Sequence, residues 1–272
     1  AKAAYNELGL QLYRLGFFNP AAADQAIGCL ELMQFEGKEE YIKDVFTEIA
    51  DYYDEMNEIM SMHMVQGWHK FMMRKAGDIH GKRCLDVGTG TGEIAFHVAR
   101  TAGEGSTVVG VDITPRMLEL AARKESELDL PVKIDWREGD ALNLDFPDGS
   151  FDLVTSGYML RNVCDIQKAV SEMHRVLAPG GKVIVAELSK PKNGVIRFFY
   201  NIYMKRVKRY GRKYDKGKSI DGRQSAYEWL TASIEGFPYG EDMVKIFRKA
   251  GFEDARFYVK SFGAVNIYMG TK

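Results

Sequence analysis

The chain of 272 residues is poor in cysteine, with three in all, Cys29, Cys84 and Cys164. They are scattered, odd in number and form no Cys-x-x-Cys. Neither a disulfide framework nor a metal site is expected, only reduced thiols in a cytoplasmic protein. No apolar run is long enough to cross a membrane, and the N-terminal residues lack the charged and apolar runs of a signal peptide. An excess of one charge is also missing: the net charge is −1, so nothing global points to nucleic acid. No internal repeat or low-complexity segment is visible. Against these absences, 46% hydrophobic and 28% charged residues describe an ordinary globular chain, long enough for one large domain or a core domain with an added subdomain.

Residues 1–80 read as helical, an N-terminal extension or lid. Leu8, Leu12, Leu15 and Phe18 recur at helical spacing, as do Val45, Ile49, Tyr52 and Tyr53, then Trp68, Phe71 and Met72. Asn19–Pro20 marks a break and a new helix start. From residue 81 to 272 short apolar strands alternate with helices: KRCLDVG, STVVGVDI, VKIDWREGD, FDLVTSGY and GKVIVAELS are the strands. Helices are expected over Glu93–Thr101, Pro115–Leu128 and Asp165–Leu177. Such alternation implies a Rossmann-like α/β fold with a parallel sheet. The end differs, because after a helix over Glu241–Ala250 two strands, FEDARFYVKS and AVNIYMGTK, stand close together, which predicts an antiparallel hairpin. Residues 190–238 interrupt the alternation and read as a helical insertion over the strand ends, where ligands of open α/β sheets bind.

The stretch CLDVGTGTGEIAFHVAR holds the densest signal. A dinucleotide loop usually reads Gly-x-Gly-x-x-Gly. Here the spacing is Gly88-x-Gly90-x-Gly92, Glu93 stands where the third glycine would be, and Asp86 ends the preceding strand. A carboxylate beside a pyrophosphate is repelled, whereas beside a cationic ligand with an amino group it is favourable. S-adenosylmethionine carries a sulfonium and an ammonium and no phosphate. Asp112 ends the next strand, where a carboxylate can take both ribose hydroxyls. Asp140 follows the third strand and can accept from the adenine amino group. Each acid alone is as readily a helix cap or turn residue; three at successive strand ends form a ligand edge.

These residues carry a resemblance. LDVGTGTG, GVDITPRML, GDALNLDFPDGSFDLV and RVLAPGGKVIVAE resemble successive motifs of class I S-adenosylmethionine-dependent methyltransferases. More narrowly, Val45–Ser61, Leu160–Pro191 and Tyr227–Phe252 resemble the ubiquinone/menaquinone biosynthesis C-methyltransferase family, and the likeness spans residues 42–272. It implies a seven-stranded sheet with a terminal antiparallel hairpin, a helical N-terminal lid, S-adenosylmethionine as cofactor and ring methylation of a prenylated, demethylmenaquinol-like quinol. By this resemblance Thr91, Asp112, Asp140 and Ala141 contact the cofactor. Tyr53 and Asp54 match a Tyr-Asp pair of the lid. Gly157 stands where the family has a serine, so any contact there is through the backbone. The wider cofactor set expected is Asp86, Gly88, Thr89, Gly90, Gly92, Ile113, Met117 and Gly139. Two family histidines are replaced, by Val65 and Tyr268.

Ring C-methylation needs an electron-rich carbon held in line with the methyl group and a phenolate stabilised beside it. Arg161 is the candidate for that charge, too basic to be the free base itself; a surface pair with Asp165 is the competing reading. Asn162 can orient the same hydroxyl. With the two histidines replaced, His63 and Tyr158 are the candidate proton acceptors, although a lone helical histidine is more often structural. The methionines Met56, Met60, Met62, Met64, Met72 and Met73 suit an apolar pocket or an ordinary core. Between Val195 and Lys218 nine basic residues accompany one acid. Ile196, Phe199, Tyr203, Val207 and Tyr210 share one helical face there. That helix reads either as a peripheral contact with the inner face of a membrane or as a lid with a solvated basic back. A different methyl acceptor, a cofactor-binding scaffold without catalysis, and a homo-oligomer stay open. A nicotinamide-dependent oxidoreductase is disfavoured by Asp86 and the glycine spacing.

Overall fold

The computed structural model describes residues 38–211 and 226–272. The helical spacing from Leu8 to Phe18, the break at Asn19–Pro20 and the end of the basic segment past residue 211 lie outside the described residues. Among the described residues three helices precede the first strand: α1 (Lys38–Ile49), then after a short 3-10 turn α2 (Tyr53–Met60), and α3 (Val65–Ala76). Strands and helices then alternate as β1 (Arg83–Val87), α4 (Glu93–Ala102), β2 (Thr107–Asp112), α5 (Pro115–Ser126), β3 (Ile134–Glu138), β4 (Phe151–Gly157), α6 (Ile166–Val176) and β5 (Leu177–Leu188). The chain closes with α7 (Gly194–Gly211), α8 (Ala226–Gly236), α9 (Glu241–Lys249), β6 (Glu253–Lys260) and β7 (Val265–Thr271).

The strands form one sheet in the order β3-β2-β1-β4-β5-β7-β6. The first five are parallel, and β7 runs antiparallel to both β5 and β6. The expected terminal hairpin is present, with Lys260 opposite Val265. Its second strand slots between β5 and the first, which strand spacing alone does not specify.

Alternation along the strands separates two cores. Leu85 and Val87 of β1, with Val183 and Val185 of β5, face Ala169, Val170 and Met173 of α6 and Val244 and Phe247 of α9. Cys84, Leu153, Ile184 and Ile267 face the other way, onto Ala95 and Ala99 of α4 and Trp68 and Met72 of α3. Thus α3 is a layer helix of the sheet, although it falls within the stretch expected as lid. A third cluster lies over the strand ends, where Tyr41, Ile42 and Val45 of α1 and Met56 of α2 meet Trp229 of α8. Local signals set the helix starts: Pro115 occupies the first turn of α5, and the Asp165 carboxylate accepts the Lys168 N–H at 2.9 Å to cap α6. Asp165 is therefore a cap and not the partner of Arg161.

Candidate active site

The strand order reverses between β1 and β4, which opens a crevice at their carboxyl ends. Three connected chambers occupy it. The first, about 100 Å3, is lined by Gly88, Gly90, Asp112, Ile113, Met117, Gly139, Asp140, Ala141 and Gly157. The second, about 250 Å3, is lined by Asp86, Gly88, Thr89, Gly90, Thr91 and Gly157, and by Asp54, Asn57, Glu58, Gln66 and His69 from the N-terminal helices. The third is the largest, about 470 Å3 and mostly apolar, between α2 and the insertion helices α7 and α8. Tyr53 and Tyr158 line all three, so the chambers meet at these two rings.

The loop after β1 is built against its own sheet. Gly88 N–H and Thr89 N–H both donate to the Val111 carbonyl, at 2.8 and 3.0 Å. Gly90 N–H donates to Asp112 Oδ2 at 2.8 Å. The amides that would cradle a pyrophosphate are thus already committed. Gly88 has φ +66°, and a Cβ there would lie 2.4 Å from Met159 Cγ, so only glycine fits. Gly92 lines none of the chambers, contrary to expectation. Its missing side chain makes room for Phe96 and Trp136, each 2.8 Å from where a Cβ would stand. At Gly157 the tip of Ile94 lies 2.3 Å from the Cβ position, so only backbone faces the ligand space.

The three acids have distinct surroundings. Asp86 is 1% exposed and accepts from the hydroxyls of Thr89 and Thr155, both at 2.7 Å. Burial drives its carboxyl up to about 7, against the pull of those two hydrogen bonds. Asp112 is raised by burial too, and its second oxygen accepts Thr114 N–H at 2.9 Å. Each carboxylate oxygen has two lone pairs, so both retain capacity for a diol. Asp140 Oδ1 takes Leu142 N–H at 2.8 Å. Buried acids without phosphate donors fit a cationic nucleoside ligand, and S-adenosylmethionine is one.

Helices α1 and α2 are tied down over the crevice. Thr91 Oγ1 donates to Asp54 at 2.5 Å, and Lys124 bridges Asp54 and Glu93 at 2.8 and 2.6 Å. Glu93, the residue in place of a third glycine, is thus part of the clasp. Lys38 Nζ donates to the Val163 carbonyl at 2.7 Å. Trp229 Nε1 of α8 donates to Asn162 Oδ1 at 3.0 Å.

At the junction with the third chamber, Arg161 is buried and pairs with Glu187 at 3.1 Å. Its guanidinium also donates to the Tyr158 carbonyl, while Nε has no partner among the described residues. Burial raises the Glu187 carboxyl and the Arg161 charge opposes that rise. Asn162 Oδ1 accepts from Trp229 and its Nδ2 donates to the Tyr158 carbonyl at 3.3 Å, which fixes the amide where it lines the first and third chambers. Tyr158 has φ +59° and a buried hydroxyl without a partner among the described residues. Burial, then the nearby Glu187, hold its phenol far above the usual range, so it keeps its proton and acts as a donor, not as the expected acceptor. His63 is not brought to the crevice: its side chain is 78% exposed, bonds Glu58 at 3.1 Å and lines no chamber. Tyr268 is 1% exposed, takes Gly240 N–H at 2.9 Å and lines none of the three chambers. The sequence reading missed Glu187, Lys124 and Trp229 and gave His69 no role; of the three missed, only Glu187 left a signal, an acid within the core strand VIVAEL. Among the described residues no cluster of three or more His, Cys, Asp or Glu side chains is arranged to hold a metal ion.

A sheet with one reversed strand, an acid-edged crevice and a loop closed to phosphate define a class I S-adenosylmethionine-dependent methyltransferase. The solved structures agree on the fold. A putative S-adenosyl-L-methionine-dependent methyltransferase of Methanococcus maripaludis matches with TM-score 0.58 at 18% identity, covering 83% of this chain and 93% of that one. The chain belongs to the ubiE/COQ5 methyltransferase family, whose model matches residues 34–272. It is 38% identical to a demethylmenaquinone methyltransferase of Thermus thermophilus over 84% of this chain and 100% of the relative. It is 34% identical to the ubiquinone/menaquinone biosynthesis C-methyltransferase UbiE of a Geobacter species, over 86% of this chain and 97% of the relative.

Proposed function

We propose that the enzyme methylates a ring carbon of a prenylated quinol of the demethylmenaquinol type. One observation carries the reading: a large apolar chamber opens onto the cofactor crevice at Tyr53 and Tyr158, with the buried Arg161 at the contact point. Its volume of about 470 Å3 suits a bicyclic ring and the start of its tail, within the roughly 300–1,000 Å3 usual for small-molecule pockets. Met56, Met60, Met64, Phe199, Tyr200 and Trp229 line it, and Tyr203 of α7 donates to the Met60 carbonyl at 2.5 Å to close the roof. The names of the relatives agree with such an acceptor.

S-adenosylmethionine, when bound, supplies a methyl group on a positively charged sulfur. Asp112 and Asp140 hold the nucleoside in the first chamber, and the second takes the amino-acid end. Tyr53 and Tyr158 exclude water where the chambers meet. Arg161, with Nε–H uncommitted, stabilises the negative charge on the ring oxygen as the hydroxyl loses its proton, and Tyr158 donates a second hydrogen bond. Incubation with S-adenosylmethionine and reduced demethylmenaquinone should add one methyl by mass spectrometry. Cofactor binding without that product would move the acceptor.

Contact with a membrane surface is also proposed, by a face that shares Phe199 with the expected one. Ile196, Phe199, Tyr203 and Val207 line the chamber. The outward apolar residues of α7 are Val195, Phe198 and Phe199, 68%, 62% and 63% exposed. Phe262, 83% exposed, stands at the chamber mouth, and Lys205, Arg206 and Arg209 are exposed further along α7. Apolar residues beside a basic turn suit an anionic lipid surface. Among the described residues no helix is long and apolar enough to cross a membrane. The protein should sediment with anionic vesicles, and Val195→Ser with Phe198→Ser should abolish that binding; sedimentation indifferent to the change would refute it.

A further inference from the structure

The second chamber is lined by four acids, Asp54, Glu58, Asp86 and Glu93, and, among the described residues, by no lysine or arginine. Acids answer an ammonium and repel a carboxylate. An amino-acid end carries both, so its carboxylate must be met by a neutral donor. Nearly all the neutral side-chain donors there are spent. Gln66 donates to Glu58 and Glu93 at 3.1 and 3.3 Å, and its carbonyl faces His97 Nε2 at 2.9 Å. Thr91 and Thr89 donate to Asp54 and Asp86. The Asn57 side chain is hydrogen-bonded to Tyr53. Two groups remain with no partner among the described residues, the imidazole of His69 at both nitrogens and the hydroxyl of Tyr158. Tyr158 stands where all three chambers meet, whereas His69 lines only the second.

His69 is 2% exposed, one turn beyond Val65 on α3. Its ring centre lies 5.4 Å from that of His97 and 6.3 Å from that of Tyr158. Burial, then His97, lower its pKa to about 4, so the free protein holds a neutral imidazole with one N–H to give. An orphaned buried donor of this kind costs stability unless a ligand satisfies it. We propose that His69 binds the carboxylate of the cofactor's amino-acid end. The proposal extends the cofactor site and does not rest on the identity of the methyl acceptor.

Two ligands that share the nucleoside test it by calorimetry. S-adenosylhomocysteine has the amino-acid end, and 5′-methylthioadenosine lacks it. His69→Ala should weaken S-adenosylhomocysteine roughly 10- to 100-fold, the range for a lost hydrogen bond to a charged group, and leave methylthioadenosine within about twofold. His69→Gln, which keeps a donor, should recover part of the loss. Equal weakening of both ligands would make His69 a structural residue, and unchanged affinity for both would remove it from the site. Either result overturns the proposal.

Discussion

Replacing Asp86 by asparagine should make the free enzyme more stable and a poorer binder. The carboxyl is 1% exposed and burial raises it from 3.8 to about 7. A folded-state value above the unfolded one means that the native protein binds the proton more tightly. The stability contribution of Asp86 is therefore fully present below about pH 4 and is lost as pH rises through about 7. At pH 8 the displacement corresponds to a penalty on the order of 4 kcal/mol. Asparagine is close in shape and never ionises, and the Thr89 and Thr155 hydroxyls can turn to suit it. Urea unfolding of the free protein should show Asp86→Asn more stable by about 2–4 kcal/mol at pH 8, with the gap closing toward pH 4. S-adenosylmethionine should stabilise the native enzyme more than the variant, because its positive charge offsets the buried carboxylate. A variant no more stable than the native protein at pH 8, or a gap that does not change with pH, would refute this account of the site.

Arg161→Ala leaves Glu187, which is fully buried, without its partner, so it should cost about 3–5 kcal/mol in urea unfolding; a variant as stable as the native enzyme would deny the pair any structural weight. The catalytic part of Arg161 is better read from Arg161→Lys, which keeps the charge but loses the planar fork and should lower single-turnover methyl transfer while sparing cofactor affinity. Lys124→Met removes the bridge between Asp54 and Glu93. The bridge is partly exposed, so stability should fall by under about 1 kcal/mol, while cofactor dissociation measured by stopped flow should quicken. An unchanged dissociation rate would mean that the clasp does not hold the lid.

Much of the fold was legible because it is written in short periods. Runs such as STVVGVDI bury a sheet strand, and acids or glycines at their ends fall at the crevice by position in the chain. Asp112, Asp140 and Gly88 were readable for that reason. Gly92 was misread because a packing glycine and a ligand-contacting glycine look alike in sequence; only the positions of Phe96 and Trp136 separate them. Helical periodicity also grouped Ile196, Phe199, Tyr203 and Val207 of α7, which line the third chamber, but could not say what covers them.

The sequence by itself determined the class of the protein: strands ending in acids, a loop without the third dinucleotide glycine, and motifs of one methyltransferase family, all local and tied to strand ends. Only the tertiary structure decided which side chains meet. It paired Arg161 with Glu187, 26 residues on in the chain, and not with nearby Asp165. It left His63 in solvent and buried His69 in the second chamber without a partner among the described residues. It also buried the Tyr158 hydroxyl, which raises its phenol against the expected part of proton acceptor. The physical reason is common to all three. A partner and a burial depend on elements brought together from far apart in the chain, and no local period records them.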